Sequence, residues 1–324
     1  MNQLKKYFQL EKKPIKGLLA AEWVMLGYLL LTLLLLLFIY TKTADPVAML
    51  WGRVQIVVMT LALWGVYRMV PCRLTLFARI LGQLALLSWW YPDTYEFNRH
   101  FPNLDHLFAR WEQELFGCQP ALLFSRAWSH PVFSELMDLG YAVYYPMIAA
   151  VVFYFFGWCH ERFGRASFVI LTSFFLYYII YVGLPVTGPQ YYYKAIGLEQ
   201  VERGEFPDVG DYFARHQEAL PSPGYPEGMF YQMVASAHDA GERPTAAFPS
   251  SHVGVSTILM LLLLSAGQRR LLFILLPFYV LLCLSTVYIQ AHYAIDALAG
   301  LATGALFFAL FMAVSRGMIE RRHR

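Results

Sequence analysis

The sequence predicts an all-α, polytopic membrane protein with about eight transmembrane helices. Three observations predict it. The 324 residues are 58% hydrophobic and only 15% charged, a balance foreign to soluble domains. The apolar residues gather in runs near the length of ~20 residues that a bilayer-spanning helix needs, and none alternates in polarity as a membrane β-strand does. The basic residues fall between those runs in an order that gives one consistent orientation.

The runs lie at roughly 18–40, 48–70, 74–91, 134–158, 167–187, 252–267, 271–289 and 293–315. The first is too long for a removed signal peptide and lacks a small-residue cleavage site, so it reads as an anchor. With the N-terminus in the cytoplasm, the short inner segments hold fifteen Lys and Arg, against eight on the much longer outer segments. An even number of helices returns the C-terminal RGMIERRHR to the cytoplasm. Arg53 and Arg79 fall near helix ends, where the expectation is that they snorkel to the interface. The net charge of +3 is taken up by this topology, so no nucleic-acid partner is indicated. Cys72, Cys118, Cys159 and Cys283 have no zinc spacing, and with only Cys118 in an outer segment no disulfide is expected.

The chain divides into a two-helix membrane segment, 1–72, and a core, 73–324, with long outer segments at 91–131 and 188–248. In the first of these, Leu104, Leu107, Phe108, Trp111, Leu115 and Phe116 recur at helical spacing, with Asp105, Arg110, Glu112 and Glu114 between them. That pattern predicts an amphipathic helix in the interface, serving either to seal the outer face or to admit substrate. The second is rich in turn signals such as LPSPGYPEG and carries nine acidic against four basic residues. No polybasic cradle for anionic headgroups stands there, although Lys194 and Arg243 each bring one charge.

Ionisable groups at the ends of membrane helices are functional candidates. Two stretches qualify: Pro249-Ser250-Ser251-His252 at the start of the sixth run, and HYAID, His292 to Asp296, at the start of the eighth. The histidines are 40 residues apart, close to two crossings of ~20 residues each, so a helical hairpin returns both to the outer face. His292 and Asp296 share a helix face four residues apart. A carboxylate there can hold one imidazole nitrogen as N–H and leave the other as nucleophile or base. The helix after Pro249 offers backbone N–H groups and a dipole suited to phosphate, with Ser250 and Ser251 as hydroxyl donors. His252 beside them can protonate a departing oxygen. Taken singly, a serine before a helix is usually an N-cap, and an H-x-x-x-D pair is often only structural. Their placement on one membrane face is what points to chemistry.

FPSSHVG at 248–254 together with STVYIQAHYAIDALAG at 285–300 resembles the type 2 phosphatidic acid phosphatase superfamily, over about residues 74–316. The resemblance implies a six-helix phosphatidic acid phosphatase-like core, preceded here by two N-terminal helices. It also implies a phospho-histidine formed on His292, oriented by Asp296, with His252 as acid on the leaving group. Ser250, Ser251 and nearby amides would hold the phosphoryl oxygens, with Lys194 and Arg243 as candidate cations. No metal or other cofactor is implied. His100, His106, His130, His216 and His238 match no metal-ligand spacing either.

Three departures stand out. Ser251 occupies the glycine position of P-S-G-H, Thr286 the arginine position of S-R-x5-H-x3-D, and the motif K-x6-R-P is absent. Lys194 and Arg203 have the wrong spacing for it, and Arg203 precedes Gly204; Arg243-Pro244 is a possible substitute on another segment. With LDHLFARWEQELFGCQP and VYIQAHY, these features resemble the inositol phosphorylceramide synthase-like branch. The implied function is a lipid phosphotransferase at the extracytoplasmic face, acting on a phospholipid substrate with a lipid hydroxyl as acceptor. The alternative is a lipid phosphate or isoprenoid diphosphate phosphatase with water as acceptor. A transporter, which would hold its polar groups near the midplane, fits the helix-end placement poorly.

Overall fold

The computed structural model describes residues 2–241 and 243–323, excluding the side chains of residues 2–4, 238–241 and 317–323. The side chain of His238, much of the basic C-terminus and Arg324 therefore lie outside the described residues. The chain runs through α1 (Asn2–Phe8), α2 (Ala20–Phe38), α3 (Pro46–Met69), α4 (Arg73–Asn98), α5 (Asp105–Phe116), α6 (Pro120–Ala127), α7 (Pro131–Ala142) and α8 (Tyr144–Gly157). It continues through α9 (His160–Gly183), α10 (Pro189–Ile196), α11 (Leu198–Arg203), α12 (Met229–Gly241), α13 (Ser251–Ser265), α14 (Arg269–Tyr288) and α15 (Ala294–His323). Among the described residues there is no β-strand.

Seven of the eight predicted runs coincide with one helix each and the run at 134–158 with the pair α7 and α8, but among the described residues five helices are long and apolar enough to cross a bilayer, or six if α7 and α8, bent by 44°, form one broken span. Two predicted spans fall short. The apolar run of α4 is diluted by Arg79 and Gln83 and ends in YPDTYEFN. Helix α13 has only 15 residues, below the ~20 of a full crossing. It is nonetheless almost wholly buried, because α8, α9, α14 and α15 surround it. A helix apolar on all sides belongs in such an interior.

The most extensive helix contact is between α13 and α15. A Cβ at Gly300 would stand 2.6 Å from the Ser250 carbonyl oxygen, and one at Gly304 would stand 2.5 Å from that of Gly254. Missing side chains let the two backbones touch, as small residues do in membrane bundles. The start of one helix is thereby tied to the start of the other: Ser250 N–H donates to the Asp296 carbonyl at 3.0 Å.

Arg53 and Arg79 do not snorkel. Arg79 is fully buried and its Nε donates to Glu22 Oε1 at 2.8 Å, joining α4 to α2. Arg53 is 3% exposed and its Nη2 lies 2.7 Å from Asp93 Oδ2, joining α3 to α4. A buried guanidinium persists only with such a partner, so these arginines clamp the N-terminal helices to the rest of the bundle. Helix α5 also turns differently from its expected amphipathic sense. Its carboxylates Asp105 and Glu112 are fully buried while Trp111 and Leu115 face outward. Asp105 and Glu112 thus serve the protein interior, while Arg110 and Glu114 stay exposed.

Candidate active site

The hairpin of α13 and α14 brings the two histidines together, with ring centroids 5.7 Å apart. His292 is 3% exposed and lies just before α15, its Nδ1 2.8 Å from the carbonyl oxygen of Ala247. A carbonyl only accepts, so Nδ1 carries the proton and Nε2 keeps the lone pair. The expected partner, Asp296, holds a different post. Its Oδ2 stands 3.7 Å from Nδ1 and accepts the Tyr293 N–H at 2.9 Å. The geometric anchor of the imidazole is therefore a backbone carbonyl, and the Asp296 carboxyl braces the turn beside it. The backbone N–H of His292 donates to the carbonyl of Thr286 at 3.0 Å. Thr286 itself, buried at the arginine position, turns its hydroxyl back to Cys283 O at 3.0 Å.

His252 is held between two tyrosines from the bend of the broken span, with ring centroids 4.7 Å away at Tyr141 and 4.4 Å away at Tyr144. The N-terminus of α13 is less open than the sequence suggests. Ser250 is fully buried and caps the helix, its oxygen accepting the Val253 N–H at 3.4 Å. The Ser251 N–H donates to the Tyr181 hydroxyl at 3.0 Å, and that hydroxyl donates to Pro249 O at 3.1 Å. Ser250 thus has the capping role, and Tyr181 occupies an amide expected to face a ligand.

Ser251, His252 and His292 line one small pocket that opens to solvent, with Tyr91, Gln190 and Arg243 among its other walls. Arg243 lies at its exposed rim, where Nη1 donates to Gln217 Oε1 at 3.0 Å. Ser250, Asp296 and Lys194 are not among the lining residues. Lys194 is exposed, near the end of α10, so the cation of this wall is Arg243. One charged donor, a hydroxyl and two imidazoles around an open polar pocket suit an anionic group of modest charge.

Sequence reasoning missed four supporting groups: the Ala247 carbonyl, Tyr181, Asp105 and Glu112. Asp105 is the hub of the loop beside the pocket. Its Oδ2 accepts Thr187 N–H at 2.7 Å and the Thr187 hydroxyl at 2.9 Å, while its Oδ1 accepts Gly188 N–H at 2.9 Å and the Tyr293 hydroxyl at 3.0 Å. Burial pushes its carboxyl up from the usual range, opposed by donors from Thr187, Asn103 and Gly188. Glycine is required at 188, where φ is +93° and a Cβ would stand 2.5 Å from Ala291 O. The signal available in the sequence was the placement of Asp105 and Glu112 on one face, seven residues apart, two helical turns.

Glu112 meets the start of α15, accepting Ile295 N–H at 3.2 Å. Burial pushes its carboxyl from 4.5 up to about 8, opposed by that N–H and reinforced by the charge of Asp296. A raised carboxyl contributes stability that is fully present below its unfolded value and is lost as pH rises through the folded one. Wild-type protein is therefore expected to lose stability between about pH 4.5 and 8. Glu112→Gln should flatten that decline in detergent-solubilised thermal unfolding; parallel curves for the two proteins would refute the assignment.

The described helices form a bundle of the membrane class in which two histidines share one polar pocket. A family model described as the PAP2 superfamily matches residues 106–310, a stretch that holds every site residue expected from the sequence. The chain belongs to the PAP2 superfamily, whose members are phosphatases or phosphotransferases. No curated protein and no solved structure matches it.

Proposed function

We propose that this protein is a lipid phosphotransferase that moves a phosphoryl-bearing headgroup from a phospholipid to a lipid hydroxyl, in the manner of an inositol phosphorylceramide synthase. The observation that carries the reading is the 2.8 Å contact from His292 Nδ1 to the Ala247 carbonyl. It leaves the Nε2 lone pair as nucleophile on the side chain that shares its pocket with His252.

In the first step Nε2 forms a bond to phosphorus and the bond to the departing lipid oxygen breaks. His252 gives that oxygen a proton, so a neutral lipid alcohol leaves. In the second step the acceptor hydroxyl attacks phosphorus, the P–N bond breaks, and the hydroxyl proton returns to His252. Ser251 and Arg243 balance the charge on the phosphoryl oxygens, and Asp296 favours the cationic imidazole of the phospho-enzyme. A single rim guanidinium suits a diester, which carries one negative charge, better than a doubly charged monoester. The excess of basic residues on the opposite segments supports an extracytoplasmic site with both termini cytoplasmic.

Reconstituted protein given labelled phospholipid donors, with and without ceramide or diacylglycerol, tests this. Labelled product is expected only when the lipid acceptor is present. Equal release to water in both conditions would replace transfer by lipid phosphatase activity.

A further inference from the structure

The broken span is shaped by its own sequence. Pro146 is the third residue of α8, and a proline has no N–H to give the carbonyl four residues back, which here belongs to Ala142. A single helix cannot keep its ladder through that point, and α7 and α8 meet at 44° across Val143. Just before the bend, Gly140 lies so close to α14 that a Cβ there would stand 2.8 Å from the Leu281 carbonyl oxygen. The bend is thereby pressed against one arm of the hairpin that brings the histidines together.

Two tyrosines stand at this bend, Tyr141 in the last turn of α7 and Tyr144 as the first residue of α8. Both are buried, and their rings are inclined by 30° and 48° to the ring of His252, with centres 4.7 and 4.4 Å away. The Tyr144 hydroxyl also makes a long contact, 3.5 Å, to Ser251 O at the start of the helix that carries His252. Residues three apart share one side of a helix, so both rings meet the same imidazole, one from each arm of the bend. The face of an aromatic ring is negative, and it attracts a cation whose distance from the ring centre is below ~6 Å.

The two histidines need opposite things. His292 must present a lone pair, and a carbonyl that only accepts holds its proton on the other nitrogen. His252 must bring a proton to the departing oxygen, so its ring is cationic before the transfer and neutral after it. Aromatic neighbours favour the cationic form, and their packing restricts the rotation of a ring whose edge has to meet that oxygen.

We propose that Tyr141 and Tyr144 are positioning residues for protonation of the leaving group: their rings hold His252 as an oriented imidazolium, and the break in the span sets them there. The inference rests on the acid role given to His252 above, and it is the same whether a lipid hydroxyl or water accepts the phosphoryl group. Neither tyrosine takes part in bond making.

The test uses full-length protein in lipid nanodiscs with two donors, a phospholipid and a nitrophenyl phosphodiester whose leaving group has little need of a proton. The quantity read is the lipid rate divided by the nitrophenyl rate. Tyr144→Leu is expected to lower this ratio about tenfold, the scale of one desolvated cation–π contact, and Tyr141→Leu should lower it in the same direction. Tyr144→Met, which also lacks a π face, gives the same reading if the leucine variant does not fold. Tyr141→Phe and Tyr144→Phe keep the face and lose only the hydroxyl, so their ratios should stay near the wild-type value. Equal losses on both donors in the leucine and methionine variants would make the tyrosines structural and overturn the proposal. Phenylalanine variants as deficient in the ratio as the leucine ones would overturn it too, because the hydroxyls would then be the acting groups. Failure of the acid role itself shows separately, as a His252→Ala deficit equal on both donors.

Discussion

Alanine at position 292 is expected to abolish turnover, while alanine at 252 leaves a residue of activity that depends on the donor. The difference follows from the two imidazoles' environments. His292 is buried, and its proton is fixed on Nδ1 by a carbonyl that cannot donate, so the lone pair sits on the other nitrogen without a separate base. Removing it removes the bond-forming atom. His252 acts on the leaving oxygen, and loss of a general acid reduces rate by about 10²- to 10⁴-fold. A donor with an acidic leaving alcohol, such as a nitrophenyl phosphodiester, has little need of that proton. His252→Ala should therefore recover on the nitrophenyl donor and His292→Ala should not. Rate assays on both donors, with acid-labile label trapped on protein, check this. Wild-type turnover by His292→Ala, or an equal deficit of His252→Ala on both donors, would sink the mechanism.

Asp105→Ala is expected to have the largest effect on stability. Thr187 N–H and Gly188 N–H from one loop and the Tyr293 hydroxyl from another segment all point at this carboxylate. Each buried donor left without an acceptor costs about 1–3 kcal/mol, so the loop carrying Thr187 and Gly188 should detach from the start of α15. The variant should unfold at a markedly lower temperature and lose activity together with stability. Asp105→Asn keeps one acceptor oxygen and turns an amide donor against the other N–H groups, so its midpoint should fall between the two. An Asp105→Ala protein with the wild-type midpoint would show that the hub is unimportant.

Much of the architecture was legible because lipid imposes a coarse rule on composition. The eight apolar runs matched helices, and the 40-residue separation of His252 and His292 anticipated their meeting at one end of a hairpin. The rule fails where protein replaces lipid. A window of apolar residues reads the same whether a helix faces acyl chains or other helices, so the short, enclosed α13 was counted as a full span. Arg53 and Arg79 were assigned to the interface for the same reason, since their partners Asp93 and Glu22 lie 40 and 57 residues away.

The sequence by itself determined the membrane class, the family-bearing motifs, and which histidines meet. Those depend on hydrophobicity and on spacing along one helix or one hairpin, both local properties of the chain. Only the tertiary structure decided that a backbone carbonyl holds His292, that Ser250 caps while Ser251 lines the pocket, that Arg243 and not Lys194 provides the wall's cation, and that Asp105 organises the neighbouring loop. A carbonyl has no side-chain signature, and a buried carboxylate is revealed only by donors arriving from distant segments.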